Sequence, residues 1–111
     1  MNILIVDDSA IIRAILEQNL SKEDDFTIID SVSTGRKAID SAQKKAPDVV
    51  ISDVDMPEMD GLESTKFISS KLKIPVVILS ERETDRTKAK NAGAVDFEVK
   101  PNLDSYKESF F

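Results

Sequence analysis

The chain has no cysteine, no histidine and no tryptophan, and only three glycines and four prolines in 111 residues. Without cysteine there is no disulfide, thiolate metal site or cysteine nucleophile, a usage that fits a reducing cytoplasm. Without histidine the usual general base is gone, as is any phosphohistidine step within the chain, so chemistry falls to Asp, Glu, Ser, Thr, Lys and Arg. Long apolar runs are missing too. No segment approaches the roughly 20 apolar residues needed to cross a bilayer. The opening MNILIVDDSA reaches two aspartates too early for a secretory leader. Positive charge is outnumbered, with 15 Lys and Arg against 21 Asp and Glu and a net charge of -6. That balance opposes binding to nucleic acid or to an anionic membrane surface and favours a basic partner.

What is present is the composition of one folded domain over residues 1–111, 41% hydrophobic and 32% charged. Five short runs rich in Ile and Val recur, at Ile3 to Val6, Phe26 to Val32, Val49 to Ser52, Pro75 to Ser80 and Ala94 to Val99. Several lack polar alternation, which predicts strands covered on both faces. Helical periodicity fills the gaps. Ile11, Ile12, Ile15, Leu16 and Leu20 make one wide stripe after Ser9. Thr34 is placed to cap a second helix with Ala38, Ile39 and Ala42 inside, ending before Pro47. A third helix begins after Gly61. A fourth, from Glu81 to Gly93, has only Ala89 and Ala92 as apolar residues, and a fifth, short or cut, follows Pro101. Alternating strands and helices predict a doubly wound α/β sandwich with a parallel sheet.

In such a sheet, ligands bind beyond the carboxyl ends of the strands. The first run ends in Asp7 and Asp8, the third in Asp53, the fourth in Ser80 and the fifth in Lys100 and Pro101. Three carboxylates on one edge repel unless a cation joins them. All-oxygen ligation suits Mg²⁺, which pairs readily with phosphate oxygens. Lys100 is then a point charge that holds Asp53 in the empty site and phosphate oxygens in the filled one, and Ser80 offers those oxygens a hydrogen bond. With His and Cys absent, the nucleophile of choice is a carboxylate, and Asp53 is the central candidate. A plainer reading of Asp7 and Asp8 makes them caps of the first helix. Ser80 could likewise cap the fourth helix, and Phe97 could be a core aromatic.

VDD at Val6 to Asp8, SDVDMPEMDG at Ser52 to Gly61, Ser80 and GAVDFEVKP at Gly93 to Pro101 occur in one order and spacing. By these motifs the chain resembles a two-component response-regulator receiver domain over almost its whole length. The resemblance implies a flavodoxin-like (βα)5 fold with strand order 2-1-3-4-5. It implies Asp53 as phosphoacceptor, Asp8 as a direct Mg²⁺ ligand, Asp7 as its partner acting largely through water, and Asp55 as a ligand through its main-chain carbonyl. Mn²⁺ could take the place of Mg²⁺. It further implies Ser80 as the switch hydroxyl, Phe97 as an aromatic that swings inward with it, Lys100 as the phosphate-contacting lysine, and a cis peptide bond before Pro101. The expected partners are a sensor histidine kinase and an output domain at the face of helix 4, strand 5 and helix 5. No enzyme activity is expected of this chain beyond its own phosphoryl transfer and dephosphorylation. Within the family, MDGLE with GAVDFEVKP is most similar to the regulatory domain of the chemotaxis protein-glutamate methylesterase.

One position departs from the pattern. Glu81 follows the switch hydroxyl where a small residue is usual, and its carboxylate would repel an incoming phosphoryl group unless Arg82 or Arg86 holds it aside. Two other readings stay open: a haloacid-dehalogenase-like phosphatase, for which Asp53 and Asp55 form the DVD pair, and a pseudo-receiver that binds a partner without being phosphorylated. Motif order speaks against the first, because the acidic pair Asp7 and Asp8 precedes DVD.

Overall fold

The computed structural model describes residues 1–54, 56 and 61–100. Its strands are β1 (Asn2–Val6), β2 (Thr27–Val32), β3 (Val49–Asp53), β4 (Val76–Ser80) and β5 (Asp96–Val99). Between them come α1 (Ala10–Leu20), α2 (Gly35–Lys45), α3 (Gly61–Ser70) and α4 (Arg86–Asn91), the last preceded by a 3-10 turn at Glu83–Asp85. All the strand pairs are parallel and the order is β2-β1-β3-β4-β5, as expected for a flavodoxin-like sheet. The helix expected after Pro101, the Lys100–Pro101 bond, the carbonyl of Asp55 and the turn through Pro57 and Asp60 lie outside the described residues.

Burial follows position in the sheet. The interior strand β1 buries four successive residues, Ile3, Leu4, Ile5 and Val6, because helices cover both of its faces. Val50, Val76 and Ile78 of β3 and β4 are fully buried as well, and they pack with Ala38, Ile39, Ala42, Ile68 and Ala89 from the helices. The edge strands β2 and β5 are only partly covered.

Local chemistry sets the helix ends. The Ser9 hydroxyl caps α1 by accepting from the Ile12 amide at 3.3 Å, so the cap is Ser9 and not Asp7 or Asp8. The apolar stripe of α1 is narrower than predicted. Ile15 is buried, but Ile11 lies in the first turn, past the end of β1, and is 60% exposed. Thr34 caps α2 through the Lys37 amide at 3.1 Å, and Ala38, Ile39 and Ala42 form its inner face. α2 stops at Ala46, in the left-handed region at φ 45 ahead of Pro47. The segment expected to be one helix from Glu81 to Gly93 is a 3-10 turn followed by six helical residues. Thr84 and Asp85 are weak helix formers, and two buried alanines give little face to hold a longer helix. Gly93 ends it at φ 101.

The sheet order reverses between β1 and β3, since the chain runs from β1 outward to β2 and then returns to the other side of β1. Register pairs Val6 with Ser52, Asp53 with Leu79 and Ser80 with Val99. The residues at and just after these carboxyl ends, Asp7, Asp53, Ser80 and Lys100, therefore share one edge at the switch point. No described helix is long and apolar enough to cross a membrane.

Candidate functional site

The centre of this edge is a buried ammonium between two carboxylates. Lys100 Nζ donates to Asp7 Oδ2 at 2.7 Å and to Asp53 Oδ1 at 2.9 Å, and its side chain is only 7% exposed. Each carboxylate is also fixed by the backbone. Asp7 Oδ1 accepts from the Ser9 amide at 2.9 Å, and Asp53 Oδ1 accepts from the Val54 amide at 2.8 Å. Arg13 ties down the loop between β1 and α1 by donating to the Asp7 carbonyl at 2.7 Å. Of the residues that reasoning from strand ends grouped together, Asp7, Asp53 and Lys100 touch, with Asp8 beside the two carboxylates, although Asp7 and Lys100 are 93 positions apart.

Charge and burial set the protonation states. Burial pushes the Asp53 carboxyl up to about 6, and the neighbouring Asp7 charge adds to that, while Lys100 and the Val54 amide pull the other way. Burial works to lower the Lys100 ammonium, but its hydrogen bonds to Asp7 and Asp53 outweigh this and hold it above the usual lysine range. Asp53 is thus ionised at neutral pH at some cost, in a cluster that gains from more positive charge.

Asp7, Asp8 and Asp53 each offer a carboxylate oxygen, and these oxygens all lie within 4.8 Å of one another. Hard oxygen donors, one of them exposed to water at Asp8 and one disfavoured as a bare anion at Asp53, fit a hydrated Mg²⁺.

Ser80 is engaged elsewhere. Its hydroxyl donates to Asp85 Oδ2 at 2.5 Å and accepts from the Arg82 amide at 3.0 Å. Arg82 Nε reaches the same Asp85 oxygen at 3.1 Å. Phe97 is buried in the core in this conformation, with the Arg86 guanidinium 4.8 Å from its ring centroid. Glu81 is exposed, and neither arginine expected to restrain it is shown doing so: Arg82 pairs with Asp85 and Arg86 with Glu83.

Two contributors escaped the sequence reading. Asp85 is one, since nothing in its local pattern marks it as buried. Gly61, read there only as the residue before the third helix, is the other. Its amide donates to the Val54 carbonyl at 2.6 Å, and a Cβ at that position would stand 1.7 Å from the Asp53 carbonyl oxygen. Gly61→Ala is expected to push the end of β3 out of place. The cost is about 3 kcal/mol or more of stability, read as a lower denaturation midpoint, with weaker Mg²⁺ binding by titration calorimetry.

Residues 3–108 match the family described as the response regulator receiver domain. A protein-glutamate methylesterase/protein-glutamine glutaminase of Archaeoglobus fulgidus is 42% identical over 106 residues, covering 92% of this chain and 30% of that protein. A protein of the same name, numbered 3, from Paramagnetospirillum magneticum is 39% identical over 111 residues, covering 97% of this chain and 31% of that protein. This chain spans about 30% of the length of the curated relatives it matches. Among solved structures, the response regulator domain of Thermotoga maritima CheB aligns with a TM-score of 0.89 at 30% identity, covering 97% of this chain and 86% of that one.

Proposed function

The chain belongs to the response regulator receiver domain family, a phosphorylation-dependent signalling switch, and from that premise we propose that Asp53 is the residue that takes the phosphoryl group. The observation that supports this most strongly is the Lys100 ammonium bridging Asp7 and Asp53, with Asp8 beside them, at the switch point of the sheet. Neither alternative reading is favoured: a phosphatase of the haloacid-dehalogenase kind has no support in the family match, and exposure of Glu81 alone does not make a pseudo-receiver.

Asp53 does the bond-making. One of its carboxylate oxygens attacks phosphorus in line, the P–N bond of a protonated phosphohistidine on a sensor kinase breaks, and the electron pair leaves with the neutral imidazole. Mg²⁺ held by Asp7, Asp8 and Asp53 would neutralise charge on these carboxylates and on the phosphoryl oxygens, and Mn²⁺ suits the same donors. Asp8, exposed at the rim, would hold the ion from its solvent side. Lys100 gives up part of its pairing with Asp53 and donates to the phosphoryl oxygens, while Asp7 keeps it in place. Ser80 supplies a further hydrogen bond once its hydroxyl is released. Attack of water on the acyl phosphate returns Asp53 and inorganic phosphate.

The output is a neighbouring domain, a protein-glutamate methylesterase by the names of the relatives, contacted through α4, β5 and the segment after Pro101. Val95 and Val99 are exposed apolar residues on that face, at 65% and 40%. The acidic charge of the chain favours such a protein partner over nucleic acid, and the absence of cysteine fits a cytoplasmic setting.

The test is intact mass after incubation with acetyl phosphate. One phosphoryl group is expected with Mg²⁺, none with a chelator and none on Asp53→Asn. An unmodified wild type would overturn the phosphoacceptor reading if Glu81→Ala stayed unmodified too, and steady turnover of a small phosphomonoester would favour the phosphatase.

A further inference from the structure

Asp85 is a buried carboxylate in a turn otherwise made of exposed residues. It is 3% exposed, whereas Glu83, Thr84 and Arg86 around it face solvent. It does not cap α4, since its side chain makes no cap hydrogen bond. Instead one oxygen, Oδ2, collects the Ser80 hydroxyl at 2.5 Å, Arg82 Nε at 3.1 Å and an Arg82 terminal nitrogen at 3.1 Å. The Ser80 hydroxyl in turn accepts from the Arg82 amide at 3.0 Å, which closes the loop between β4 and the 3-10 turn. The Ser80 hydroxyl and, against the effect of burial, the Arg82 guanidinium hold Asp85 below the usual carboxylate range, so it is an anion at neutral pH.

A serine hydroxyl has one proton to donate. In this conformation Asp85 has it, in a short bond to a charged acceptor inside the protein, the strong class of hydrogen bond. A phosphoryl oxygen on Asp53 can receive that proton only after the bond to Asp85 breaks. We propose that Asp85 is a positioning residue that holds the Ser80 hydroxyl in the resting state and, by competing with the phosphoryl group for its proton, sets how readily the site is filled. The inference rests on Asp53 being the phosphoacceptor.

The protein is thereby divided between a closed state, with Ser80 on Asp85, and a state competent to bind the phosphoryl group through Ser80. Apparent affinity is reduced by the fraction that is competent. A hydrogen bond to a charged group is worth enough that removing it raises the competent fraction on the order of tenfold. Arg82 belongs to the same device, because its guanidinium neutralises the oxygen that Ser80 uses and its amide orients the hydroxyl.

Beryllofluoride with Mg²⁺ is the probe, as a stable analogue of the acyl phosphate, and its affinity is followed by fluorine NMR. Four proteins are compared: wild type, Asp85→Ala, Ser80→Ala and the double variant. Asp85→Ala is expected to tighten beryllofluoride binding on the order of tenfold in the Ser80 protein and to leave it unchanged in the Ser80→Ala protein, because the effect passes through that hydroxyl. A loosened turn would shift both backgrounds alike, and that result overturns the proposal. So does an unchanged or weaker affinity for Asp85→Ala. If Asp85→Ala does not fold, Asp85→Asn replaces it; an acceptor remains but the charge is gone, and a smaller tightening in the same direction, again abolished by Ser80→Ala, is expected. Failure of all four proteins to bind beryllofluoride would overturn the phosphoacceptor reading, and the role of Asp85 with it, a result distinct from binding that ignores Asp85.

Discussion

Lys100→Met lowers the stability of the metal-free protein by about 3–5 kcal/mol at neutral pH, the cost of leaving buried charge without its partner. The substitution keeps an unbranched apolar stem of similar length and removes the ammonium. Asp7 and Asp53, with side chains 2% and 11% exposed, would then face each other with no cation between them. For a chain of this size that loss is a fall in Tm on the order of 10–20 °C. The deficit shrinks as the pH is lowered toward 5, because Asp53, already pushed up to about 6, takes a proton and relieves the repulsion. Mg²⁺ is expected to recover part of the loss by supplying positive charge to the same oxygens. Chemical denaturation with chelator and with Mg²⁺ checks both statements. A loss below about 1 kcal/mol would mean that the pair behaves as a solvated surface ion pair.

Asp53→Asn is expected to do the opposite. The folded protein holds a proton on Asp53 up to about pH 6, whereas the ordinary value for this group is 3.8. Between those values the folded state binds more protons than the unfolded one, so the contribution of Asp53 to stability is full below about pH 4 and is lost as the pH rises through 6. Above that window the ionised side chain costs stability, and an amide of the same shape does not incur the cost. After discounting for partial solvent screening, the variant should be about 1–2 kcal/mol more stable than wild type at pH 7 without metal. The difference should fade toward pH 4, and wild type alone should gain from added Mg²⁺. Denaturation midpoints across pH 4 to 8 read this directly. A variant less stable than wild type at pH 7 would show that Lys100, and not burial, dominates the environment of Asp53.

A residue buried on both faces of a sheet announces itself in sequence as an unbroken apolar run, and ILIV at Ile3 to Val6 does so without ambiguity. The polar residues that end such runs then fall on one edge by topology alone, which is why Asp7, Asp53, Ser80 and Lys100 could be grouped before any coordinates. Periodicity was a poorer guide where a helix overhangs its sheet. Ile11 is on the same face as Ile15, yet the strand beneath it has ended. Capping was ambiguous because Asp7, Asp8 and Ser9 are all good caps, and only geometry shows that Asp7 is turned to Lys100 while Ser9 serves the helix.

Asp85 was invisible for a different reason. A run of charged residues such as ERETDR reads as a solvated face, and it takes the turn geometry to send one of its carboxylates inward to a serine five positions earlier. Gly61 shows the same limit. That a turn needs glycine is readable from sequence, but the near contact with the carbonyl of the candidate nucleophile is a property of the fold.

Whether Asp53 itself takes the phosphoryl group is tested most directly by chemical trapping. Protein treated with acetyl phosphate and Mg²⁺ is reduced with borohydride, which converts an aspartyl phosphate to homoserine, and the modified residue is located by peptide mass spectrometry. Conversion at Asp53 alone, dependent on Mg²⁺ and absent when the metal is chelated, is the predicted result. Conversion at Asp7 or Asp8 with Asp53 intact would contradict it and would reassign Asp53 as a ligand that positions another nucleophile.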